Sequence, residues 1–269
     1  MKFLKSALAT ASFLAAVASH AAPIVVTNGI AAQLADAIAG AGITISNATL
    51  TQSNAGATGT FTNGGTPVGF GNGVLLTTGL ASCAQGATSN IFCDTAGDRT
   101  TELAFDFTSA TGQVFFQYVF ASEEYNEFVD SEFNDSFELL LNGVNIARLP
   151  NNQVVSINNV NCGSNSAFYR NNSSPDPTNN LCSANPNLSL NIAYDGLTTV
   201  LTASGIVNAG LNNFKFRIAD VNDSRYDSAV FIRESSFSAT NPNVVPEPGS
   251  LALAGLALVG LAAARRRNA

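Results

Sequence analysis

The sequence predicts a mainly β protein: a two-layer antiparallel β-sandwich with one short N-terminal helix, followed by an apolar C-terminal helix. Three observations predict it. About a dozen short apolar segments alternate with turns rich in Gly, Asn and Thr. Asn142-Gly143 separates Phe137–Leu141 from Val144–Leu149, a two-residue hairpin signature. Phe214, Phe216 and Ile218 alternate with Lys215 and Arg217, as on a strand with one wet face.

The elements follow in order. Residues 1–21 have the form of a secretory signal: Lys2 and Lys5, an apolar stretch from Ala7 to Ala18, then Ser19 and Ala21 as the small residues of a cleavage site. That stretch is well short of the ~20 residues that span a bilayer. Ile30 to Ala39 reads as a helix, with Leu34 and Ile38 one turn apart and Gly40 as its C-cap. Strands are expected at 43–51, 58–62, 73–78, 101–108, 113–121, 135–141, 144–149, 153–160, 187–194, 198–204, 213–219 and 228–237. Val114 to Phe120 is apolar on both parities, so it belongs at the centre of a sheet covered on both faces. Asn161 to Asn187 is expected to be a long loop. Residues 22–243 thus make one β domain, and 244–269 form a separate tail.

Composition excludes much of enzymology. Between Ala22 and Val245 the chain has 18 Asp+Glu against 7 Lys+Arg, a net charge of 7 − 18 = −11. Such a surface repels nucleic acid, so none is expected as a partner. His20 is the only histidine and lies in the leader. Ser-His-Asp and Cys-His catalysis, and histidine-ligated metal sites, are therefore absent from the exported chain. The four cysteines, Cys83, Cys93, Cys162 and Cys182, suit disulfides in an exported protein, and no Cys-x-x-Cys pair suggests a thiolate metal site. Three pairings are possible; Cys83–Cys93 and Cys162–Cys182 are favoured, because each pair flanks a polar, turn-rich loop.

One region departs from the apolar pattern. From Glu123 to Glu138 there are seven acids and no base, interleaved with Tyr125, Phe128, Phe133 and Phe137. A second cluster, Asp220, Asn222, Asp223 and Asp227, follows the strand at 213–219. By parity Asp220 shares the apolar face of Phe214, Phe216 and Ile218, where a carboxylate needs a partner. No local lysine is available, and Arg225 is the nearest base after it. Three readings stay open. Glu123, Glu124, Asp135, Asp220, Asp223 and Asp227 supply the oxygen ligands that calcium takes, although Asp135 and Leu141 rule out an EF-hand. A pair such as Glu124 and Asp220 is the chemistry of a polysaccharide-processing enzyme. The plainest alternative is a solvated acidic loop with one buried, hydrogen-bonded carboxylate.

The tail carries Pro246-Glu247-Pro248, an apolar run through Ala264, and Arg265-Arg266-Arg267. From Gly249 to Ala264 a helix would reach roughly 24 Å, less than a ~30 Å hydrocarbon core. It makes a poor permanent anchor and a good temporary one, oriented by its arginines with the body outside. These three parts, in order, resemble the PEP-CTERM sorting signal of Gram-negative bacteria. The resemblance implies recognition of Pro246, Glu247 and Pro248 by an exosortase, after export by the Sec machinery and signal peptidase. It also implies transient anchoring in the inner membrane, then delivery to the surface or exopolysaccharide matrix of a biofilm-forming cell.

The body has a resemblance of its own. Phe120-Ala121-Ser122-Glu123-Glu124-Tyr125-x-Glu127-Phe128, Phe133-Asn134-Asp135-x-Phe137, Val155-Ser156-Ile157-Asn158-Asn159-Val160, Tyr194-Asp195-Gly196-Leu197-Thr198 and Ile218-Ala219-Asp220-Val221-x-Asp223 stand in order along the chain. With Gly73-Val74-Leu75-Leu76-Thr77-Thr78-Gly79 and Asp227-Ser228-Ala229-Val230-Phe231, they resemble the choice-of-anchor L domain. That family implies a bacterial surface domain and supplies no chemistry; Asn126 stands where its typical string has proline. The expectation is an exported, non-catalytic structural or adhesive module, with calcium as its one candidate cofactor and exopolysaccharide or other matrix components as candidate partners. The alternative is the carboxylate-pair enzyme.

Overall fold

The structure, a computed structural model, describes residues 21–52, 54–86, 99–173, 182, 185–222 and 225–243. The leader up to residue 20, Cys93, Asp223 and the whole sorting tail, including Pro246, Glu247, Pro248, Arg265, Arg266 and Arg267, lie outside these residues.

Among the described residues two antiparallel sheets pack face to face. The larger runs β1 (Ile24–Thr27), β3 (Thr58–Thr62), β4 (Gly73–Thr77), β13 (Ser228–Arg233), β6 (Gln113–Ser122), β10 (Gly196–Thr198), β9 (Tyr169–Asn171), with β11 (Leu201–Ile206) also paired to β6. The smaller runs β2 (Ile43–Gln52), β5 (Thr100–Ser109), β12 (Asn212–Ala219), β7 (Ser136–Leu141), β8 (Val144–Asn145). The two-layer β-sandwich read from sequence is therefore the fold.

Side-chain alternation explains the packing. In β12, Phe214, Phe216 and Ile218 are buried between the sheets, while Lys215 and Arg217 face water. On that wet face Arg217 reaches both Glu102 at 3.2 Å and Glu138 at 3.1 Å, and Lys215 reaches Glu102 at 3.0 Å. These are half-exposed pairs that fix register more than they stabilise. Inside, Phe105, Phe107, Phe116, Phe214 and Phe237 interlock edge to face, Phe107 and Phe237 with centroids 4.9 Å apart. The central strand β6 buries its other face too. Val119 and Ala121 pack with Phe61, Leu75, Leu197 and Phe231 in a second core outside the larger sheet. That second cover accounts for the unbroken apolar run in β6.

The local signals divide into those that held and those that tertiary contacts overrode. Asn142 and Gly143 both have positive φ, 48° and 82°, as a two-residue hairpin turn requires. The early helix α1 (Ala31–Ile38) is present, burying Leu34, Ala35 and Ile38. Its C-cap, however, is the extended residue Ala39 and not Gly40. Gly40 is held by space: an added Cβ would sit 2.3 Å from the Ser235 carbonyl. The strand expected at 144–149 stops at Asn145, whose Oδ1 takes the Leu139 and Ala147 amides. The segments 153–160 and 187–194 are not strands; Asn159, Asn161 and Asn172 side chains bond their backbones instead. Strands β1 and β9 carry too little pattern to be read from sequence.

Cys162 and Cys182 form a disulfide, closing the long loop that also contains β9. Cys83 is likewise disulfide-bonded, and no cysteine among the described residues is free.

Candidate acidic rim at one pole of the sandwich

The antiparallel register brings five chain segments to one pole. There β6 ends at Ser122, β12 ends at Ala219, and β5, β7 and β13 begin, preceded by Arg99, Asp135 and Asp227. Both acidic clusters therefore meet, as their sequence positions at strand ends require.

Short hydrogen bonds build the rim. The Ser122 hydroxyl accepts from the Glu124 amide at 2.9 Å, turning the chain sharply out of β6. The Glu123 amide donates to the Asp227 carbonyl at 3.1 Å, and the Asp227 amide donates back to Glu123 Oε2 at 3.3 Å. Asp135 Oδ1 accepts from the Val221 amide at 3.0 Å, and Asn222 Nδ2 donates to the Glu132 carbonyl at 2.7 Å. Asn158 pins the loop between them: its side chain accepts from the Asp130 amide and donates to the Ser131 carbonyl. Phe128 packs against Phe133 and Tyr226, with centroids 5.5 and 5.2 Å apart, joining the two acidic segments through their aromatic residues.

Charge balance comes from a residue that the sequence reading passed over. Arg99 is buried, with Nη1 2.8 Å from Asp227 Oδ1 and 3.7 Å from Asp220 Oδ2. The Asp220 side chain is only 1% exposed, in keeping with its apolar-face parity. The cation that this position demands is thus a neighbour across the sheet and not a neighbour in sequence. The signal was present: pairing 101–108 against 213–219 places Thr100 opposite Ala219, hence Arg99 beside Asp220.

Of the six candidate metal ligands, Glu123, Asp220 and Asp227 surround this contact, and Asp135 joins through Val221. Glu124 is fully buried. Asp223 lies outside the described residues. Among the described residues no group of three or more His, Cys, Asp or Glu side chains is arranged to hold a metal. The pair named for carbohydrate chemistry, Glu124 and Asp220, has both carboxylates shut off from solvent, so neither presents itself to a polymer.

A second group flanks the rim. Tyr125 packs tilted against Tyr169, ring centroids 4.8 Å apart; the Tyr169 hydroxyl donates to Asn126 Oδ1 at 2.7 Å, and Asn126 Nδ2 donates to Asn171 Oδ1 at 3.0 Å. An added Cβ on Gly196 would sit 2.5 Å from the Tyr125 ring, so only glycine fits there. Beside it, burial first and Glu127 second push the Asp195 carboxyl up to about 7.

The segments that share the rim belong to the strings quoted from the sequence: 120–128, 133–137, 155–160, 194–198 and 218–222 are physically one assembly. Among the described residues no helix is long and apolar enough to cross a membrane; the run at 249–264 lies outside them. A search of curated proteins and of solved structures finds no match to the chain. Family models do match: the choice-of-anchor L domain over residues 24–238, and the PEP-CTERM protein-sorting motif over 244–267. The chain belongs to the choice-of-anchor L domain family and carries a PEP-CTERM signal, which makes it an exported bacterial surface protein sorted by an exosortase.

Proposed function

We propose that the protein is a non-catalytic structural or adhesive module of a Gram-negative cell. In this reading the apolar tail holds it briefly in the inner membrane, and exosortase processing delivers it to the surface or the exopolysaccharide matrix of a biofilm. The observation that carries the reading is the rim itself. Its carboxylates are fixed by backbone amides and by Arg99, the construction of a rigid recognition or packing surface. Calcium enters as a second balancing charge. A hard cation takes oxygen ligands, and Glu123, Glu124, Asp135, Asp220 and Asp227 bring carboxylates to this one pole.

Thermal melting of the full chain in detergent, with calcium and then with chelator, tests this part. A melting point that rises with calcium supports it by mass action. An identical melt in both conditions removes calcium from the reading. Adhesion is tested by sedimentation of the chain with the producing cell's purified exopolysaccharide, where a chain left in the supernatant overturns the matrix role.

One observation favours the enzymatic reading. Glu127 is exposed at the rim, and its charge adds to burial in raising the Asp195 carboxyl to about 7, a value suited to a general acid. Release of reducing ends from the same polysaccharide, lost in Asp195→Asn, would establish it; no release would dismiss it.

A further inference from the structure

The pole opposite the rim is built from the turns at 39–42, 109–113, 141–145 and 205–213, and not one of these positions is charged. Hydrogen bonds join the turns into one surface. The Ala110 amide donates to the Gly42 carbonyl at 2.9 Å, and the Val207 amide to the Gly112 carbonyl at 3.0 Å. Asn142 Nδ2 donates to Asn212 Oδ1 at 2.8 Å. Leu141 lies against Gly205, where an added Cβ would meet its methyl at 2.4 Å. This pole presents Val144, Ile206 and Leu211 to solvent, 63%, 84% and 61% exposed. The nearest charges are one of each sign, Asp106 held by Asn47 and Asn213 and Arg148 held by the Asn145 carbonyl. Large aliphatic side chains on turns that carry no charge, with the rim carboxylates at the far end, make the domain amphipathic from pole to pole.

The exit of the chain says what covers the tip. The last described residue, Asn243, is fixed on the larger sheet: its Nδ2 donates to Thr202 Oγ1 at 3.0 Å, and Gln117 Nε2 donates to its Oδ1 at 3.0 Å. From Asn243 to Gly249, where the apolar run begins, six Cα steps reach at most ~21 Å. The tip at Ile206 is four strand residues from Thr202, about 13 Å. The other pole is farther: Ser122 is five residues from Gln117, about 17 Å, and the acidic loops project beyond it. A tail entering a bilayer therefore clears the tip easily and the rim barely. Anionic lipid, moreover, repels the acid-rich rim, whereas the opposite pole, with Asp106 and Arg148 of opposite sign, is free to approach.

We infer that this aliphatic pole docks on the bilayer, seating Val144, Ile206 and Leu211 in the membrane interface while the tail is inserted. The inference rests on the transient-anchor reading, and one experiment separates the two. The chain has no tryptophan, so Leu211→Trp is a sole reporter, Ile206→Trp a second one, and Leu188→Trp, exposed beside Asn171, a control. Each full-length variant is reconstituted with phosphatidylcholine–phosphatidylglycerol vesicles whose acyl chains are brominated. Flotation with the vesicles reports anchoring; quenching reports docking. The expected result is flotation of all three, with blue-shifted, quenched emission at 206 and 211 and unquenched emission at 188. Flotation with unquenched tip reporters overturns the docking alone. Failure to float overturns the anchor and the docking together. A blue shift that tracks protein concentration without vesicles assigns the tip to a second copy of the chain and also overturns the proposal.

Discussion

The Arg99 guanidinium lies 2.8 Å from the Asp227 carboxylate, and both side chains are at most 4% exposed. Asp220, 3.7 Å away, shares the same cation. A buried ion pair is not strong evidence of stability in itself, because desolvation offsets much of the attraction. Its removal on one side is another matter. Arg99→Met leaves Asp220 and Asp227 in the interior without their shared cation, and should cost about 3–5 kcal/mol. Urea unfolding measures it. A loss of only about 0–1 kcal/mol is the scale of a surface pair and would show that the rim does not depend on Arg99.

Gly79 stands beside that pair. Its own Cβ would fall 1.8 Å from Asp227 Oδ2, which no rotation of alanine relieves. The constraint is one of space and not of backbone freedom. Gly79→Ala is expected to push Asp227 off Arg99 and to destabilise by about 1–3 kcal/mol. Because both substitutions break one contact, Gly79→Ala and Arg99→Met should be non-additive in a double-mutant cycle. Simple addition of the two losses would place the effect of Gly79 elsewhere.

Asp195 makes stability depend on pH. Its carboxyl ordinarily titrates at 3.8, and burial, reinforced by Glu127, holds it at about 7 in the folded chain. Between those values the folded state keeps a proton that the unfolded state has released. The contribution is thus complete below 3.8 and is lost as pH rises through about 7. Asp195→Asn should flatten this slope, leaving the variant more resistant to urea than the parent at a pH above the folded value. A gap in urea midpoint that stays constant with pH would contradict the assignment.

The Cys162–Cys182 disulfide closes the loop that carries β9, across a separation of 20 residues. On the loop-entropy account such a closure is worth about 3 kcal/mol. Cys162→Ser with Cys182→Ser should lower the denaturation midpoint accordingly, and a midpoint unchanged from the parent would show the loop held by its asparagine bonds instead.

What the sequence revealed and what it hid have a common physical reason. Period-two alternation in 213–219 and the two-residue turn at Asn142-Gly143 are local, so β12 and the β7–β8 hairpin were legible. The apolar run in β6 announced cover on both faces, whereas the meeting of the two acidic clusters at one pole follows from strand pairing. Segments 153–160 and 187–194 misled, because apolar residues there are buried by asparagine-braced loops and not by ladders. Arg99 was hidden for the opposite reason. Its importance depends on a partner 128 positions away, which only strand pairing reveals. Gly40 and Gly196, likewise, answer to Ser235 and Tyr125 across the fold.

The sorting tail makes the last prediction, and it separates recognition from membrane insertion. The PEP-CTERM motif covers 244–267, so it contains Glu247 within Pro246-Glu247-Pro248 and the arginines Arg265, Arg266 and Arg267. Glu247→Ala leaves the apolar run and the basic end intact. The chain should then still be exported and inserted, yet escape the exosortase and accumulate at full length in the inner membrane. Deleting the three arginines removes the positive end that fixes orientation, and the same arrest should follow, from faulty presentation and not from a missing motif. Cell fractionation with immunoblotting against the β domain reads both. Normal delivery of Glu247→Ala to the surface would break the link between that residue and processing. Arrest of Glu247→Ala alone would show that orientation can be set without the arginines, by the folded acidic domain that the inner membrane cannot take back.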